Sequence, residues 1–275
     1  MLDRIARALH GTPVVAAYLF GSRQCGRAFP DSDTDVAVLL PRGTEASLAL
    51  LGELTVRLAE AGVPAPEVHV LNQASLAFQF EALRGARAFS ADEGERTDYE
   101  AWVTLRYLDF EPLLALQYRI QRRRLAEEEP LVVRAVADRK LTQLDAFLGF
   151  LEKLGSQPAD VFLADFVACG AARYYLQAAI ECCADIGAHL IATDTKRRAE
   201  DYRSIFRILG EEGVIAAEVA TAMEPAASLR NRLVHAYDQV DDRRVHEMLR
   251  SSLPVLRSFG KAVATYLERV DHAPP

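Results

Sequence analysis

The chain lacks most of the features that assign a protein to a class at a glance. Of its 275 residues only four are cysteine, at positions 25, 169, 182 and 183, and no pair has the spacing of a zinc ligand set. Cys182 and Cys183 are neighbours in an apolar stretch, where free thiols pack as small hydrophobes. Positive charge is in deficit: 32 Lys and Arg stand against 39 Asp and Glu, a formal net charge of −7. A chain that coats nucleic acid non-specifically is therefore excluded, because such affinity comes from neutralised phosphates. A local basic groove is still allowed. No apolar run is long enough to span a bilayer. The start, MLDRIARALHG, has no apolar centre of the kind a secretory signal needs. These absences predict a cytoplasmic protein with reduced thiols and no membrane partner. Internal repeats and low-complexity tracts are missing too.

What is present suffices for two cores. Hydrophobic residues make up 50% and charged residues 26% of the chain, ordinary for a folded protein. The first part alternates, and predicts a helix over 2–10 and strands over 14–20 and 35–40. A helix over 45–61, a strand over 67–71, a helix over 74–84 and a strand over 86–90 follow. From about residue 95 the pattern turns helical. One long helix is expected over 95–126, interrupted at Glu111-Pro112. Further helices are expected over 131–154, 159–192, 198–210, 215–236 and 242–269. The expected fold is α+β: a mixed sheet with helices over 1–115, a helical linker over 116–130, and an all-helical bundle over 131–275. Arg122-Arg123-Arg124 and Glu127-Glu128-Glu129, just before Pro130, mark the junction and read as a solvated helix end.

One short stretch in the first part carries chemistry. In LFGSRQCGRAFPDSDTDVAVLL, residues 19–40, an apolar strand runs into Gly21-Ser22, and Asp33 and Asp35 stand at the mouth of the next strand. Residues two apart in an extended segment point the same way. Two like charges on one face call for a cation, and hard divalent ions such as Mg2+ or Mn2+ take carboxylate oxygens. Glycine lets a ligand approach the backbone, and free N–H groups at a helix start favour phosphate. Gly21 and Ser22 are therefore candidates for holding a triphosphate. Glu67, opening the third strand, is the candidate third carboxylate, and His69 shares its face. His69 could touch substrate, but reads more readily as a core or rim histidine. Pro30-Asp31-Ser32-Asp33 is also a turn sequence in its own right.

Gly21-Ser22, ten intervening residues, Asp33-x-Asp35 and then Val36-Ala37-Val38 resemble the signature of the polymerase-β-like nucleotidyltransferases, and of their minimal members in particular. Gly26 and Ser32 match the same pattern, and RYLDFEP, residues 106–112, resembles the end of such domains in operon-paired forms. The resemblance covers about residues 1–115. It implies Asp33, Asp35 and Glu67 as ligands of a catalytic Mg2+ or Mn2+, with ATP as the nucleotide.

A second constellation is SLRNRLVHAYDQVD, residues 228–241, which contains Arg230, His235 and Tyr237 in the order Arg-x4-His-x-Tyr. By itself this fits a helix end with a cation near its last carbonyls. With the acidic run at 238–242 and the helix YLQAAIECCADIGAHLIA at 175–192, it resembles the toxin-type HEPN ribonucleases over about 131–269. That resemblance implies a helical bundle that forms a homodimer and cuts RNA without metal. Histidine would serve as base or acid and arginine would hold phosphate. On an ideal helix His235 lies about 140° from Arg230, so one straight helix does not assemble the pair.

Members of the two families are known as toxin–antitoxin pairs. The pairing implies that the transferase moves AMP from ATP to the tyrosine of the motif, here Tyr237, and so silences the ribonuclease. Two alternatives remain open at this point. The first is an antibiotic-type, small-molecule nucleotidyltransferase with a helical acceptor domain; the second is a non-catalytic nucleotide-sensing module.

Overall fold

The computed structural model describes residues 1–24, 32–125, 133–195, 197–235 and 240–271. Contacts divide the chain into two compact units, Met1–Asp109 and Phe110–Pro275.

The first unit runs α1 (Leu2–Leu9), β1 (Ala16–Leu19), α2 (Gly21–Gln24), β2 (Thr34–Leu39), α3 (Leu48–Glu60) and β3 (Pro66–Val70). A 3-10 turn at Leu71–Gln73, α4 (Leu76–Leu83), β4 (Ala86–Ser90) and the start of α5 (Glu93–Leu125) complete it. The strands form a sheet in the order β3-β2-β1-β4. β1 is antiparallel to β2 and β4, whereas β2 and β3 are parallel, with α3 as the crossover between them. Alternation along β2 sends Val36 and Val38 to a core shared with Ile5, Leu9, Leu54 and Leu58 of α1 and α3. Ala37 and Leu39 go to the other face, with Tyr18, Leu71 and Ala82. Both faces are covered, which is why β1 and β2 read as nearly continuous apolar runs. Helices α3 and α4 begin slightly later than their sequence pattern suggests. The hydroxyls of Ser47 and Ser75 accept from the backbone N–H groups of Leu50 and Phe78 and set those starts.

The second unit is helical: the remainder of α5, then α6 (Val133–Gly155), α7 (Ala159–Ala164), α8 (Phe166–Asp194), α9 (Tyr202–Glu211), α10 (Ala217–His235) and α11 (Asp242–Asp271). Pro112 lies inside α5 without ending it. Residues 116–125, expected as part of a linker, belong to α5, and 126–130 lie outside the described residues. The single helix expected over 159–192 is broken at Asp165. There the backbone is extended, and the carboxylate accepts from the N–H groups of Val167 and Ala168, so α8 starts afresh. The helix expected from 198 begins at Tyr202, because Asp201 and Ser204 form a reciprocal capping box. α8 is the central element, with buried residues on every side, including Cys182, Cys183 and Ile186. No helix among the described residues is long and apolar enough to cross a membrane.

Candidate functional site

Gly21 is where the first constellation is built. Its φ of +74° lies in the left-handed region that disfavours side chains. A Cβ at this position would stand 2.2 Å from Asp35 Oδ2 and 3.0 Å from Asp35 Cγ. Glycine is therefore required twice, by the turn and by the carboxylate that lies against it. The Phe20 N–H donates to the Asp35 carbonyl at 3.2 Å, which ties the end of β1 to the start of β2. Arg23 in α2 donates to the carbonyl oxygens of Ser32 and Asp33, at 2.9 and 3.2 Å, and holds the approach to β2.

The parallel register then places Asp35 directly beside Glu67, and Ala37 beside His69. Glu67 and His69 alternate onto the face that Asp35 occupies. His69 Nε2 lies 3.5 Å from Asp35 Oδ1 and 3.7 Å from Glu67 Oε1. One ligand atom from each of the three residues falls within 4.8 Å of the others. Donors bound about 2.1 Å from a small divalent ion lie about 3–3.5 Å apart, so the cluster has nearly the dimensions of a coordination shell. The two carboxylates also match the charge of such an ion. His69 Nε2 is shielded from solvent and makes no hydrogen bond. The residues present therefore fit a divalent cation. Asp33 is exposed just before β2 and is not part of the three-residue group. Ser22 is exposed beside Gly21.

The second constellation is placed by α10, which carries Arg230 and ends at His235. Arg230 is only 4% exposed. Its Nε and Nη2 donate to Glu181 Oε1 of α8 at 3.0 and 2.6 Å, and its guanidinium lies 4.5 Å above the Tyr202 ring. Both contacts match what the planar cation favours. Arg230 is thus fastened inside the bundle. The side chain of His235 is not described, and Tyr237 lies outside the described residues. Just beyond, Asp242 opens α11 and receives two hydrogen bonds from Arg173 of α8, at 2.6 and 2.5 Å.

Residues 4–94 match the model of the polymerase beta nucleotidyltransferases, and residues 139–263 match that of the ribonuclease HepT-like proteins. The chain belongs to the HepT-like family and carries a nucleotidyltransferase domain ahead of it. Among relatives, an Aphanizomenon flos-aquae protein named "tRNA nuclease HepT" is 24% identical over 139 residues, spanning 50% of this chain and 92% of that one. An Archaeoglobus fulgidus protein named "Putative RNase" is 35% identical over 98 residues, spanning 36% of this chain and 74% of its own. Among solved structures, a tri-AMPylated Shewanella oneidensis HEPN toxin in complex with MNT antitoxin is 20% identical. The match covers 47% of this chain and 97% of that one, with a TM-score of 0.43.

The nucleotidyltransferase match contains Gly21, Ser22, Asp33, Asp35, Glu67 and His69. The HepT-like match contains Glu181, Arg230, His235 and Tyr237. Two partners escape sequence reasoning. His69 shows only as the residue two beyond Glu67, and its contact with Asp35 depends on strand register. Glu181 lies 49 residues from Arg230, and no local pattern joins them.

Proposed function

We propose that this protein is a self-regulating toxin–antitoxin fusion. The nucleotidyltransferase domain transfers AMP from ATP to Tyr237, and the HepT-like domain cleaves RNA until that transfer silences it. Asp35 and Glu67 hold the divalent cation, Mg2+ in the simplest case, with the exposed Asp33 as the further carboxylate. When bound, the ion supplies charge neutralisation to the triphosphate. The Gly21 backbone and the Ser22 hydroxyl hold phosphate oxygens. A carboxylate of the cluster takes the proton of the Tyr237 hydroxyl. The phenolic oxygen then forms its bond to the α-phosphorus, the α–β anhydride bond breaks, and pyrophosphate leaves. Having both domains in one chain raises the local concentration of the acceptor tyrosine, in cis or across a dimer.

In the HepT-like domain, Arg230 steadies the scissile phosphate and His235 moves the proton of the attacking 2′-hydroxyl, with no metal. The name of the Aphanizomenon relative makes tRNA the RNA class we favour. Glu181 and Tyr202 hold the Arg230 guanidinium, and the 140° offset along α10 separates it from His235. A homodimer that sets His235 of one chain beside Arg230 of the other answers the angular offset, and RNA phosphate reaches the guanidinium by displacing the Glu181 carboxylate from it. The exposed Val161, Phe166 and Val167 give the HepT-like domain apolar surface for such pairing. An AMP group on Tyr237 would place a bulky anion where RNA phosphate must enter.

The observation that carries this reading is the close packing of Gly21 on Asp35, with Glu67 one strand away, in the same chain as the Arg230 helix. Intact-mass measurement before and after incubation with Mg-ATP tests it. The native chain should gain at least one AMP mapping to Tyr237, and Asp35→Asn should gain none. No gain in the native chain, or a gain confined to other residues, overturns it.

A further inference from the structure

We propose that His69 Nε2 is itself a ligand of the catalytic cation, and that this nitrogen makes the site select manganese over magnesium. The inference rests on the reading that Asp35 and Glu67 hold that cation.

Three observations point the same way. The first is position. β3 alternates Glu67 and His69 onto one face, and its parallel pairing with β2 brings both beside Asp35. The second is the state of the nitrogen. Nε2 is shielded from solvent yet makes no hydrogen bond, although two carboxylate oxygens lie 3.5 and 3.7 Å away. An imidazole that served only to pair with a carboxylate would close to about 2.8 Å. The observed separations leave space for an ion among the three donors instead. The third is the way the ring is held. It packs edge-on against Phe20, with centroids 5.5 Å apart, and against Phe78 at 5.4 Å, so its orientation is fixed by apolar neighbours.

A nitrogen donor changes which ion the site prefers. Magnesium demands oxygen ligands and near-ideal octahedral geometry, and it gives up water reluctantly. First-row transition ions accept imidazole, and manganese, the weakest binder of that series, shares magnesium's liking for oxygen ligands while tolerating a nitrogen among them. Asp35 and Glu67 supply two negative charges and the neutral imidazole supplies none, so the donor set balances a divalent ion. The site would still admit magnesium through its oxygen ligands, but more weakly than manganese.

The full chain can be titrated with Mn2+ while free Mn2+ is followed by electron paramagnetic resonance, and Mg2+ affinity measured by competition. Four proteins are compared: native, His69→Phe, His69→Gln and Asp35→Asn. His69→Phe keeps a ring against Phe20 and Phe78 and removes the nitrogen. It should weaken Mn2+ binding by about tenfold or more and Mg2+ binding by less than about threefold. Electron spin echo modulation of bound Mn2+ should show a directly coordinated nitrogen in the native chain and none in His69→Phe. The spectroscopic result on the native chain needs no variant and so does not depend on how the substitutions fold. Absence of nitrogen modulation, or equal loss of both ions, overturns the assignment. If the native chain binds Mn2+, Asp35→Asn abolishes binding and the His69 variants bind unchanged, the His69 assignment falls and the carboxylate site stands. If the native chain binds neither ion, both fall together.

Discussion

Substitution of Gly21 by alanine perturbs the candidate site at its tightest point. Two costs combine. An L-residue held at φ +74° costs about 1–2 kcal/mol in backbone strain. The new Cβ would also stand 2.2 Å from Asp35 Oδ2, where ordinary contact begins at 3.4 Å, so the carboxylate must retreat by about 1 Å. Overpacking of that size costs about 1–3 kcal/mol. The sum is about 2–5 kcal/mol. Gly43 provides the control: its φ is +82°, but an added Cβ meets nothing within 4 Å, so Gly43→Ala should show the backbone cost alone. The packing part can be isolated with Asp35→Ala, which removes Oδ2 and Cγ and leaves a Cβ at 3.4 Å, an ordinary contact. In a double-mutant cycle, Gly21→Ala should be less costly in the Asp35→Ala background by about 1–3 kcal/mol. Relief of repulsion between Asp35 and Glu67 is common to both arms and cancels. The chain has a single tryptophan, Trp102, which lies in the unit Met1–Asp109. Its fluorescence during urea unfolding therefore reports on that unit and avoids treating a two-unit chain as one transition. If Gly21→Ala costs no more than Gly43→Ala, or if the cycle is additive within about 0.5 kcal/mol, the packing of Gly21 on Asp35 is not as described.

Two further outcomes follow from the helical unit. Glu181→Gln removes a charge partner of the buried Arg230 while keeping a polar side chain, and should destabilise the bundle by about 1–3 kcal/mol in urea unfolding followed by helical circular dichroism. A change below about 0.5 kcal/mol would show that Glu181 does not hold the guanidinium. His189 in α8 is buried, which pushes its pKa down, opposed in part by the charge of Asp194. Below about pH 6.5 the unfolded chain takes up a proton that folded His189 refuses, so its contribution to stability is present above that pH and is lost as the pH falls. The slope from this one group is at most about 1.4 kcal/mol per pH unit, and His189→Leu should flatten the acid limb of the stability profile. An unchanged acid limb would count against the burial of a neutral imidazole there.

Much of the local architecture is legible residue by residue. Apolar runs bounded by glycine and proline mark β1 and β2, and periodic leucines and valines mark the helices of the second unit. The misreadings have local causes. Asp165 is tolerated inside many helices, and only the turn of its side chain back onto two N–H groups shows that α8 begins there. Asp201 and Ser204 set the start of α9 in the same way. Asp33 is a different case: β2 begins at Thr34, so alternation along the strand fixes the face of Asp35 and does not by itself fix that of the exposed Asp33.

What the order of amino acids determined by itself is a set of requirements met over short distances. A glycine is needed where β1 ends, a carboxylate is needed one residue into β2, and the hydrophobic period changes from strand to helix near residue 95. These depend on bond geometry and on the spacing of side chains along one element. Tertiary structure decided which charges meet. Parallel pairing of β2 with β3 put Glu67 and His69 beside Asp35, and the packing of α8 on α10 put Glu181 against Arg230. The physical reason is range. Coordination and hydrogen bonding need atoms within a few ångströms, and salt screens charges beyond about 10 Å, while the residues involved are 32 and 49 positions apart, and only strand register and helix packing close that distance.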